Sequence, residues 1–389
     1  MKVLINGQSL QAPLTGIGNY TRHLLQALQQ LPSVSAVDCF FANQFFTAQH
    51  VLEQLQGEDA DFVSRTAVQQ APVQSVKQLM RGVPLAYSAR DWWLNRRFLQ
   101  QAKQKKYHVY HEPNFILKDY GGPSIATVHD LSFIYYPEHH PAERVRWLQR
   151  KLPESLARAD RILTDSERVK QELLQEYNVP AHKVQAIHLG VSERFRPQSL
   201  SHCADTLAAW RLRYKSYVLF VGTIEPRKGI ATLLAAWLNL PKELQNEFPL
   251  VIAGAPGWKN TALLKQIQQL QLQHPIHLLP YVPDALLPSL YAGASVFAYP
   301  SVYEGFGLPV LEALASGVPV ICGRHTAMAE FAQGARLVEK VDCIDEWQAH
   351  LQQLLEANQL LALIDCQQAQ AFTWQRCAQR TAHVYGELS

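Results

Sequence analysis

The stretch from Val296 to Gly323 limits the possible folds of this chain more than any other. Its first part, Val296–Tyr299, is a run of apolar and aromatic residues that favours a buried strand. Gly305 and Gly307 then interrupt regular structure, and a short helical segment follows them. Another apolar run, Val318–Cys322, favours a second buried strand. Strand, loop, helix and strand in this order predict one unit of a parallel α/β sheet.

Two carboxylates, Glu304 and Glu312, lie on either side of these glycines. The glycines allow both side chains to converge at the N-terminus of the helix, where free N–H groups bind phosphate. Carboxylates beside a phosphate can accept hydrogen bonds from hydroxyl groups, so this arrangement indicates a sugar nucleotide. The alternative is that Glu312 is an acid favoured in a first helical turn and that Glu304 is a solvated loop residue.

The length of the chain predicts two domains, because 389 residues are many for one hydrophobic core. The polar, proline-containing segment 194–206 predicts the linker, since the strand pattern begins again from Tyr217. We therefore expect an N-terminal domain at 1–196 and a C-terminal domain at 197–369. The segment 370–389 contains an amphipathic run, which predicts a helix that packs back on the N-terminal domain.

The composition is that of a globular protein. Apolar residues make up 48% and charged residues 18% of the chain, and no apolar run reaches the length of about 18 residues that a membrane helix needs. The apolar run in the N-terminal sequence MKVLING is too short for a signal peptide, so we expect a cytoplasmic protein. The six cysteines lack paired or metal-type spacing, which favours free thiols over disulfides or zinc.

A pair of glycines near the N-terminus is a candidate phosphate contact. Gly16 and Gly18 follow the apolar strand Val3–Ile5. They precede a predicted helix that runs to about Gln30. Glycines in front of a helix let the backbone approach a phosphate or a sugar closely. The dinucleotide pattern G-x-G-x-x-G is incomplete, because Thr21 stands at its third position, and a plain flexible turn is the alternative.

Two His-acid pairs follow predicted parallel strands, at the edge where the sites of α/β proteins collect. His111-Glu112 ends one strand, and His129-Asp130 follows the next. His129 is the stronger candidate, because the clean apolar strand SIATV directs it to that edge. The alternative is a loop histidine whose hydrogen bonds are satisfied within the protein.

A pair of cations follows the first strand of the second predicted domain. Arg227 and Lys228 come after the apolar strand Tyr217–Val221. A helix is predicted to begin at about Ile230, so the cations lie between a strand end and a helix start. At such a position they can bind a diphosphate, and arginine adds two-point geometry. The alternative for this segment is a surface turn.

Basic residues are concentrated in the segment 62–111, which contains nine Lys/Arg and one acid, Asp91. The part from 76 to 106 has helical character and carries Trp92 and Trp93. Such a segment can attract anionic lipid and place its tryptophans at the level of the headgroups. It therefore predicts peripheral contact with an anionic membrane, with a solvated basic face as the alternative.

Motifs spread over nearly the whole chain are the basis for a family resemblance. They are Thr15-Gly-Ile-Gly, Val128-His-Asp, Asp165-Ser-Glu, Leu189-Gly-Val, Val221-Gly-Thr-Ile-Glu-Pro-Arg-Lys-Gly, Glu304-Gly-Phe-Gly-Leu-Pro-Val-Leu-Glu-Ala, Ser316-Gly-Val-Pro-Val and Phe372-Thr-Trp. With these motifs in this order, the sequence resembles the retaining glycosyltransferases of family 4, which have the GT-B fold. The resemblance implies an α/β protein with two Rossmann-like domains, whose parallel sheets face each other across a cleft.

The resemblance also implies that the C-terminal domain binds the donor and the N-terminal domain the acceptor. Glu312 would hold the ribose hydroxyls of the nucleotide, and Glu304 would hold the donor sugar. Arg227 and Lys228 would neutralise the diphosphate, and His129 would face the donor sugar near the reacting carbon. His129, Glu304, Arg227 and Lys228 are therefore the implied catalytic residues.

Further donor contacts are implied for the glycines and for backbone groups. Gly16 and Gly18 would approach the diphosphate from the N-terminal domain, and the backbone near Tyr281 and Val282 would meet the base. Thr223 is a departure, because many members of the family have arginine there. The remaining implied donor-binding residues are Gly305, Phe306, Gly307 and Leu308.

The implied reaction is the transfer, with retention, of mannose or a 6-deoxyhexose such as rhamnose from a GDP-linked donor. The acceptor would be a glycan or polyprenyl-linked glycan of bacterial polysaccharide or O-antigen synthesis, and no nucleic acid partner is expected. Cations and a helix N-terminus can stabilise the leaving diphosphate without a metal ion or other cofactor. Asp59 and Asp61, spaced as D-x-D, form the alternative metal site. Alternative functions are a nucleotide-sugar epimerase of this architecture, a PLP-dependent phosphorylase and a non-catalytic binding protein.

Overall fold

The computed structural model of the chain describes residues 1–11, 14, 16–55, 86–102, 105–279, 282–357 and 366–388. The chain divides into two compact units, each with its own β-sheet. The first unit contains Met1–Ile134, Ala142–His188 and Trp374–Ser389. The second unit contains Tyr135–Pro141 and Leu189–Thr373.

The first unit is built on seven strands. They are β1 Lys2–Asn6, β2 Ala36–Phe41, β3 Gln44–Thr47, β4 Val109–Glu112, β5 Ser124–Val128, β6 Arg161–Thr164 and β7 Val184–Ala186. Their order in the sheet is β3-β2-β1-β4-β5-β6-β7. All neighbours are parallel except β2 and β3, which form an antiparallel pair at one edge.

The second unit is built on six parallel strands. They are β8 Val218–Val221, β9 Leu250–Ala253, β10 Ile276–Leu279, β11 Val296–Tyr299, β12 Val320–Gly323 and β13 Arg336–Val338. Their order is β10-β9-β8-β11-β12-β13. The chain thus reverses its direction of strand addition between β8 and β11, as it does between β1 and β4 in the first unit. Ligands of open α/β sheets bind at such switch points.

The described helices follow the alternating α/β pattern. They are α1 Gly16–Leu28, α2 Ala86–Ala102, α3 Ser132–Tyr135, α4 Ala142–Arg158, α5 Glu167–Tyr177, α6 Leu200–Ala209, α7 Ile230–Leu238, α8 Lys242–Glu247, α9 Thr261–Leu270, α10 Leu287–Ala292, α11 Leu308–Ala315, α12 Ile344–Glu356, α13 Gln367–Gln370 and α14 Trp374–Gly386. None of these described helices is long and apolar enough to cross a membrane.

The central strands are buried on both faces. Every residue of β5, β11 and β12 is buried. Parallel strands covered by helices on both sides need apolar residues at nearly every position, which is why their sequences show continuous apolar runs. The expected α/β class with two Rossmann-like halves is confirmed.

The segment 194–206, which the sequence analysis interpreted as a linker, contains the start of a helix. Helix α6 begins at Leu200, and its buried residues Cys203 and Leu207 lie one turn apart and face α10. The helix was missed because the segment in front of it is polar and contains a proline, and because its own first turns carry Ser201, His202 and Asp205. The chain passes from the first unit to the second between His188 and Leu189. The sequence had predicted this boundary at 196 and 197.

The terminal helix α14 belongs to the first unit and packs against α1. The Tyr385 hydroxyl lies 2.7 Å from Nδ1 of His111, and Nε2 of His111 lies 2.7 Å from Oγ1 of Thr127. Burial lowers the pKa of His111 to about 3, so this ring is neutral. The weaker of the two His-acid candidates is therefore a structural histidine that joins α14 to the sheet.

The glycine pair lies inside α1 rather than in front of it, which corrects the sequence prediction. Both Gly16 and Gly18 fall in the first turn of the helix. A Cβ on Gly18 would come within 2.7 Å of the Ser9 carbonyl oxygen, whereas a Cβ on Gly16 would meet no described atom within 4 Å. Gly18 thus permits close packing of the preceding turn, and its predicted contact with a diphosphate stays a prediction.

Replacing these two glycines by alanine should change the stability of the first unit differently. Gly18→Ala is expected to lower the free energy of unfolding of the first unit by about 1–3 kcal/mol through overpacking against Ser9. Gly16→Ala is the matched control and should be neutral or stabilising by up to about 1 kcal/mol, because alanine favours a helix. Thermal unfolding of both variants measures the change in the free energy of unfolding. An equal effect of the two replacements would contradict it.

Candidate active site

Two loops of the second unit meet at its switch point and form the candidate site. One follows β8 and contains a 3-10 helix, Pro226–Lys228, and the other follows β11. The Val302 N–H donates to the Arg227 carbonyl at 3.0 Å and ties the loops together. Gly229 has a φ of 64°, and a Cβ there would lie 2.1 Å from the Pro300 carbonyl oxygen. Only glycine allows this contact between the loops.

A buried cluster of charges lies where the loops meet. The Lys228 ammonium bonds to Oε1 of Glu304 at 2.5 Å. The Arg227 guanidinium reaches Oε2 of Glu304 at 3.5 Å and Oε1 of Glu225 at 2.9 Å. The side chains of all four residues are at most 11% exposed. Two cations and two carboxylates balance each other, as burial of charge requires.

Neutral partners complete the hydrogen bonding of this cluster. The Lys228 ammonium also donates to the Tyr299 hydroxyl at 3.1 Å, and the Ser301 hydroxyl donates to Oε1 of Glu304 at 2.6 Å. The Arg227 guanidinium donates to the Tyr303 carbonyl at 2.6 Å. Every one of these bonds fixes the orientation of a charged group, so the charges are held in place in advance of any ligand.

The two cations of the cluster favour the ionised form of the Glu304 carboxyl. Burial alone would raise the pKa of Glu304, but Lys228 and Arg227 outweigh it and hold that pKa below the ordinary value of 4.5. Burial and the Arg227 charge lower the pKa of Lys228, while Glu304 acts against them. The alternatives of a solvated Glu304 and of a surface turn at 226–229 do not agree with this buried, ion-paired geometry.

Glu312 lies in the second turn of α11, so it is not the first-turn acid of the alternative interpretation. Its side chain is half-buried, and burial raises its pKa to about 7, with the Tyr291 hydroxyl acting in the opposite direction. Asp284 and Arg194 also act on this carboxyl, and they form an ion pair with each other at 2.5 Å. A carboxyl group with a pKa of about 7 can accept hydrogen bonds from hydroxyl groups once it is ionised.

The loop between the two glutamates has both packing and backbone roles. Phe306 is buried and packs on Phe331 with ring centroids 4.6 Å apart, so its side chain serves the core. Gly307, with a φ of 105°, precedes Leu308, the first residue of α11. Gly305 is buried beside them. Any donor contact in this loop therefore involves backbone groups, as expected of a helix N-terminus.

Three predicted donor contacts lie elsewhere in the second unit. Thr223 is exposed after β8, and Val282 is buried after β10. Tyr281 lies outside the described residues. The donor roles of these positions stay predictions.

His129 follows β5 in the first unit, and both of its ring nitrogens have hydrogen-bond partners. Nδ1 lies 2.7 Å from Oδ2 of Asp165, and Nε2 lies 2.7 Å from the Pro113 carbonyl oxygen. A carbonyl oxygen only accepts, so Nε2 carries a proton, and an ionised carboxylate requires a second proton on Nδ1. Burial opposes this charge, but Asp165 outweighs burial and raises the pKa of His129 above 6.5. The geometry therefore describes an imidazolium.

Sequence reasoning missed three groups that hold the charged residues. Asp165 follows β6, so its position at the carboxyl end of a parallel strand was an available signal. Glu225 precedes the two cations, where a carboxylate partner could have been expected. Tyr299 is the last residue of a buried strand, and its polar end gave no signal in an apolar run.

The D-x-D alternative cannot be assigned in this structure, because Asp59 and Asp61 lie outside the described residues. Within the described ranges, no group of three or more His, Cys, Asp or Glu side chains is placed to hold a metal ion.

Family models match both halves of the chain. The model described as "Glycosyltransferase Family 4" matches residues 14–195, and "Glycosyl transferases group 1" matches residues 211–367. The O-antigen chain mannosyltransferase B of Escherichia coli is 33% identical over 388 residues, covering 99% of both chains. This chain belongs to the family 4 glycosyltransferases. The O-antigen chain mannosyltransferase RfbU of Salmonella typhimurium is 25% identical to this glycosyltransferase, covering 90% of each chain.

Solved structures agree with the fold of this glycosyltransferase. Anabaena HepE in complex with UDP and glucose aligns with a TM-score of 0.70 at 19% identity, covering 99% of both chains. WaaG, a glycosyltransferase involved in lipopolysaccharide biosynthesis, aligns with a TM-score of 0.69 at 14% identity, again covering 99% of both. The GT-B fold expected from the family resemblance is confirmed.

The charge state of His129 can be measured directly. We expect ¹⁵N NMR of the ring over a range of pH to show that its second proton is lost only above pH 6.5, since Asp165 raises the pKa of His129 above this ordinary value. Asp165→Asn removes the carboxylate, so burial should then dominate and the second proton should be lost at a lower pH than in the unmodified protein. Loss of the proton at the same pH in both proteins would contradict the assignment.

The pair of His129 and Asp165 also predicts that the difference in stability between the unmodified protein and Asp165→Asn depends on pH. Asp165→Asn should lower the free energy of unfolding by about 1–3 kcal/mol while His129 is charged. Because the folded-state pKa of His129 is raised, this difference should be largest below about pH 6.5 and shrink as the pH rises through the raised value. Burial raises the pKa of Asp165 above 3.8, so the difference should also shrink at acidic pH as that carboxyl becomes protonated.

Proposed function

We propose that this enzyme transfers mannose, or a 6-deoxyhexose such as rhamnose, from a GDP-linked donor with retention of configuration. The proposed acceptor is a glycan or polyprenyl-linked glycan of O-antigen or related bacterial polysaccharide synthesis. The observation that carries the proposal is the end-to-end similarity to the O-antigen chain mannosyltransferase B of Escherichia coli. The buried charge cluster at the switch point of the second unit supports it.

In this proposal, the second unit binds the diphosphate of the donor at the N-terminus of α11 and beside Lys228 and Arg227. The two cations are held by Glu304 and Glu225, so they lose little side-chain freedom when an anion arrives. Glu304 then accepts hydrogen bonds from the donor sugar, and Glu312 accepts them from the ribose hydroxyls.

The proposed reaction breaks the bond between the anomeric carbon of the sugar and the oxygen of the diphosphate. The electron pair of that bond remains on the phosphate oxygen, and the fixed cations and α11 stabilise the growing negative charge. The oxygen of the acceptor hydroxyl forms the new bond on the same face of the sugar. Its proton passes to the leaving phosphate. No step needs a divalent ion or another cofactor.

The proposed nucleotide is tested by thermal shift with GDP, UDP, ADP and CDP in the presence of EDTA. A nucleotide at about 100 times its dissociation constant stabilises the protein by about 2.7 kcal/mol. We expect GDP to give the largest shift. A larger shift with UDP, or binding that appears only when a divalent ion is added, would contradict the proposal.

The pH dependence of GDP binding tests the role of Glu312. Its pKa in the free protein is about 7, so the carboxyl is mostly protonated below that pH, whereas the ribose hydroxyls require it ionised. Binding must then release a proton, and the affinity should fall by up to about tenfold for each pH unit below about 7. Calorimetry of Glu312→Gln is the control, because it retains the phosphate's own titration. If the GDP affinity of both proteins depends on pH to the same extent, Glu312 does not bind the ribose hydroxyls.

We also propose that α2 contacts the membrane that carries the acceptor. Trp92 and Trp93 are 62% and 42% exposed. Arg96 lies over the Trp92 ring at 5.6 Å, and Arg97 lies over the Trp93 ring at 4.9 Å. Exposed tryptophans paired with arginines suit a headgroup layer, to which each cation adds about 1 kcal/mol on anionic lipid. Of the other cations in the segment 62–111, only the side chains of Lys105 and Lys106 are also described.

Liposome co-sedimentation tests this contact. We expect binding to anionic vesicles, weaker binding in high salt, and none to neutral vesicles. Arg96→Glu combined with Arg97→Glu should abolish it. Lys242→Glu combined with Lys265→Glu in the second unit changes the net charge equally and should have little effect. Equal loss in the two double variants would show a general charge effect and remove the proposed membrane surface.

A further inference from the structure

Three tyrosines of the second unit form a cluster of tilted rings, and the proposed donor site does not use these rings. Tyr303 is buried, and its ring centroid lies 6.0 Å from that of Tyr135 and 5.7 Å from that of Tyr136. Tyr135 is the outermost of the three, with 38% of its surface exposed. We call Tyr135, Tyr136 and Tyr303 the tyrosine platform.

The segment that carries two of these tyrosines is held in place along its length. Tyr136 stacks on His139 with centroids 5.7 Å apart, and the Lys259 ammonium donates to the Glu138 carbonyl. His140 packs against Trp258 at 5.8 Å. These contacts attach the whole segment Tyr135–Pro141 to the second unit, so the Tyr135 ring is presented in a fixed position.

The platform is directly connected to the charge cluster. The Tyr303 carbonyl accepts from the Arg227 guanidinium at 2.6 Å, and the next residue, Glu304, bonds to Lys228. Glu304 and Tyr303 are both buried, at 8% and 3% exposed, whereas Tyr135 is 38% exposed. The Tyr135 ring therefore contacts the residue that directly precedes the proposed donor-sugar carboxylate, Glu304.

We infer that the exposed ring of Tyr135 binds the terminal pyranose of the acceptor glycan. A pyranose has an apolar face of C–H groups, which packs on the negative face of an aromatic ring, while the Tyr135 hydroxyl can bond to a sugar hydroxyl. This inference rests on the proposed function, because it supposes a sugar acceptor.

The position of the ring favours the acceptor over the donor sugar. The donor sugar is assigned to the buried Glu304, whereas Tyr135 is the exposed ring of the platform and is open to a glycan that extends into solvent. The ring would hold the acceptor without taking part in bond breaking. Tyr135 is therefore a residue of acceptor affinity, and it should change the KM of the acceptor rather than the KM of the donor.

The test is the steady-state kinetics of Tyr135→Ala with GDP-mannose and a soluble synthetic mannobiose acceptor. We expect the acceptor KM to rise about tenfold, which corresponds to the loss of about 1.4 kcal/mol of binding, with the donor KM unchanged. Tyr135→Phe keeps the ring face and should recover most of the acceptor affinity. Leu272→Ala removes another exposed apolar side chain, 85% exposed, and should have no effect on either KM.

Each outcome is decisive for the inference. An unchanged acceptor KM in Tyr135→Ala would overturn it, and a raised donor KM would assign the ring to the donor sugar instead. If the unmodified enzyme neither binds GDP nor transfers mannose, the proposed function fails. In that case saturation-transfer NMR with mannobiose decides the inference independently: contact of the sugar with the unmodified protein, lost in Tyr135→Ala, supports it, and no contact overturns it.

Discussion

The buried ion pair between Lys228 and Glu304 is the interaction on which the rest of the second unit's site depends. It joins the loop after β8 to the loop after β11, on the two sides of the sheet's switch point. Removing either partner would leave a buried charge without compensation, at a cost of about 3–5 kcal/mol. Arg227, Glu225, Ser301 and the tyrosines are arranged around this pair, so the cluster gives the site its shape as well as its charge.

The balance of charge in this cluster has a consequence for ligand binding. An anion that arrives beside Lys228 and Arg227 meets cations whose positions are already set by carboxylates, and preorganised charges need little rearrangement as negative charge develops. The same carboxylates reduce the net attraction for a free anion. In the proposed function, the donor supplies both a diphosphate for the cations and hydroxyl groups for Glu304.

A related arrangement fixes His129 in the first unit. Asp165 and the Pro113 carbonyl accept from both ring nitrogens, so the ring is held as a cation in a buried position. A histidine with both nitrogens engaged cannot take a proton from a substrate without first losing a partner. Any part that His129 plays near a donor sugar is therefore that of a hydrogen-bonded positive charge rather than of a base.

Much of the fold could be predicted from local patterns. Apolar runs such as Val296–Tyr299 predicted the buried strands, and β11 has these same bounds. Helix α6 and the position of Gly16 and Gly18 within α1 were missed. A short helix with a narrow apolar face has a weak pattern, and a glycine's packing against a distant carbonyl leaves no local pattern.

The sequence by itself determined the two parallel α/β sheets and the residue types at their carboxyl ends. The buried strands are visible as continuous apolar runs, Arg227, Lys228 and Glu304 stand in the loops that follow them, and Glu312 stands in the next helix. Only the tertiary structure decided which charges pair, that Glu304 is buried, and that the segment Tyr135–Pro141 belongs to the second unit. Pairing and burial depend on contacts between residues far apart in the chain, and these exist only after the sheets have formed.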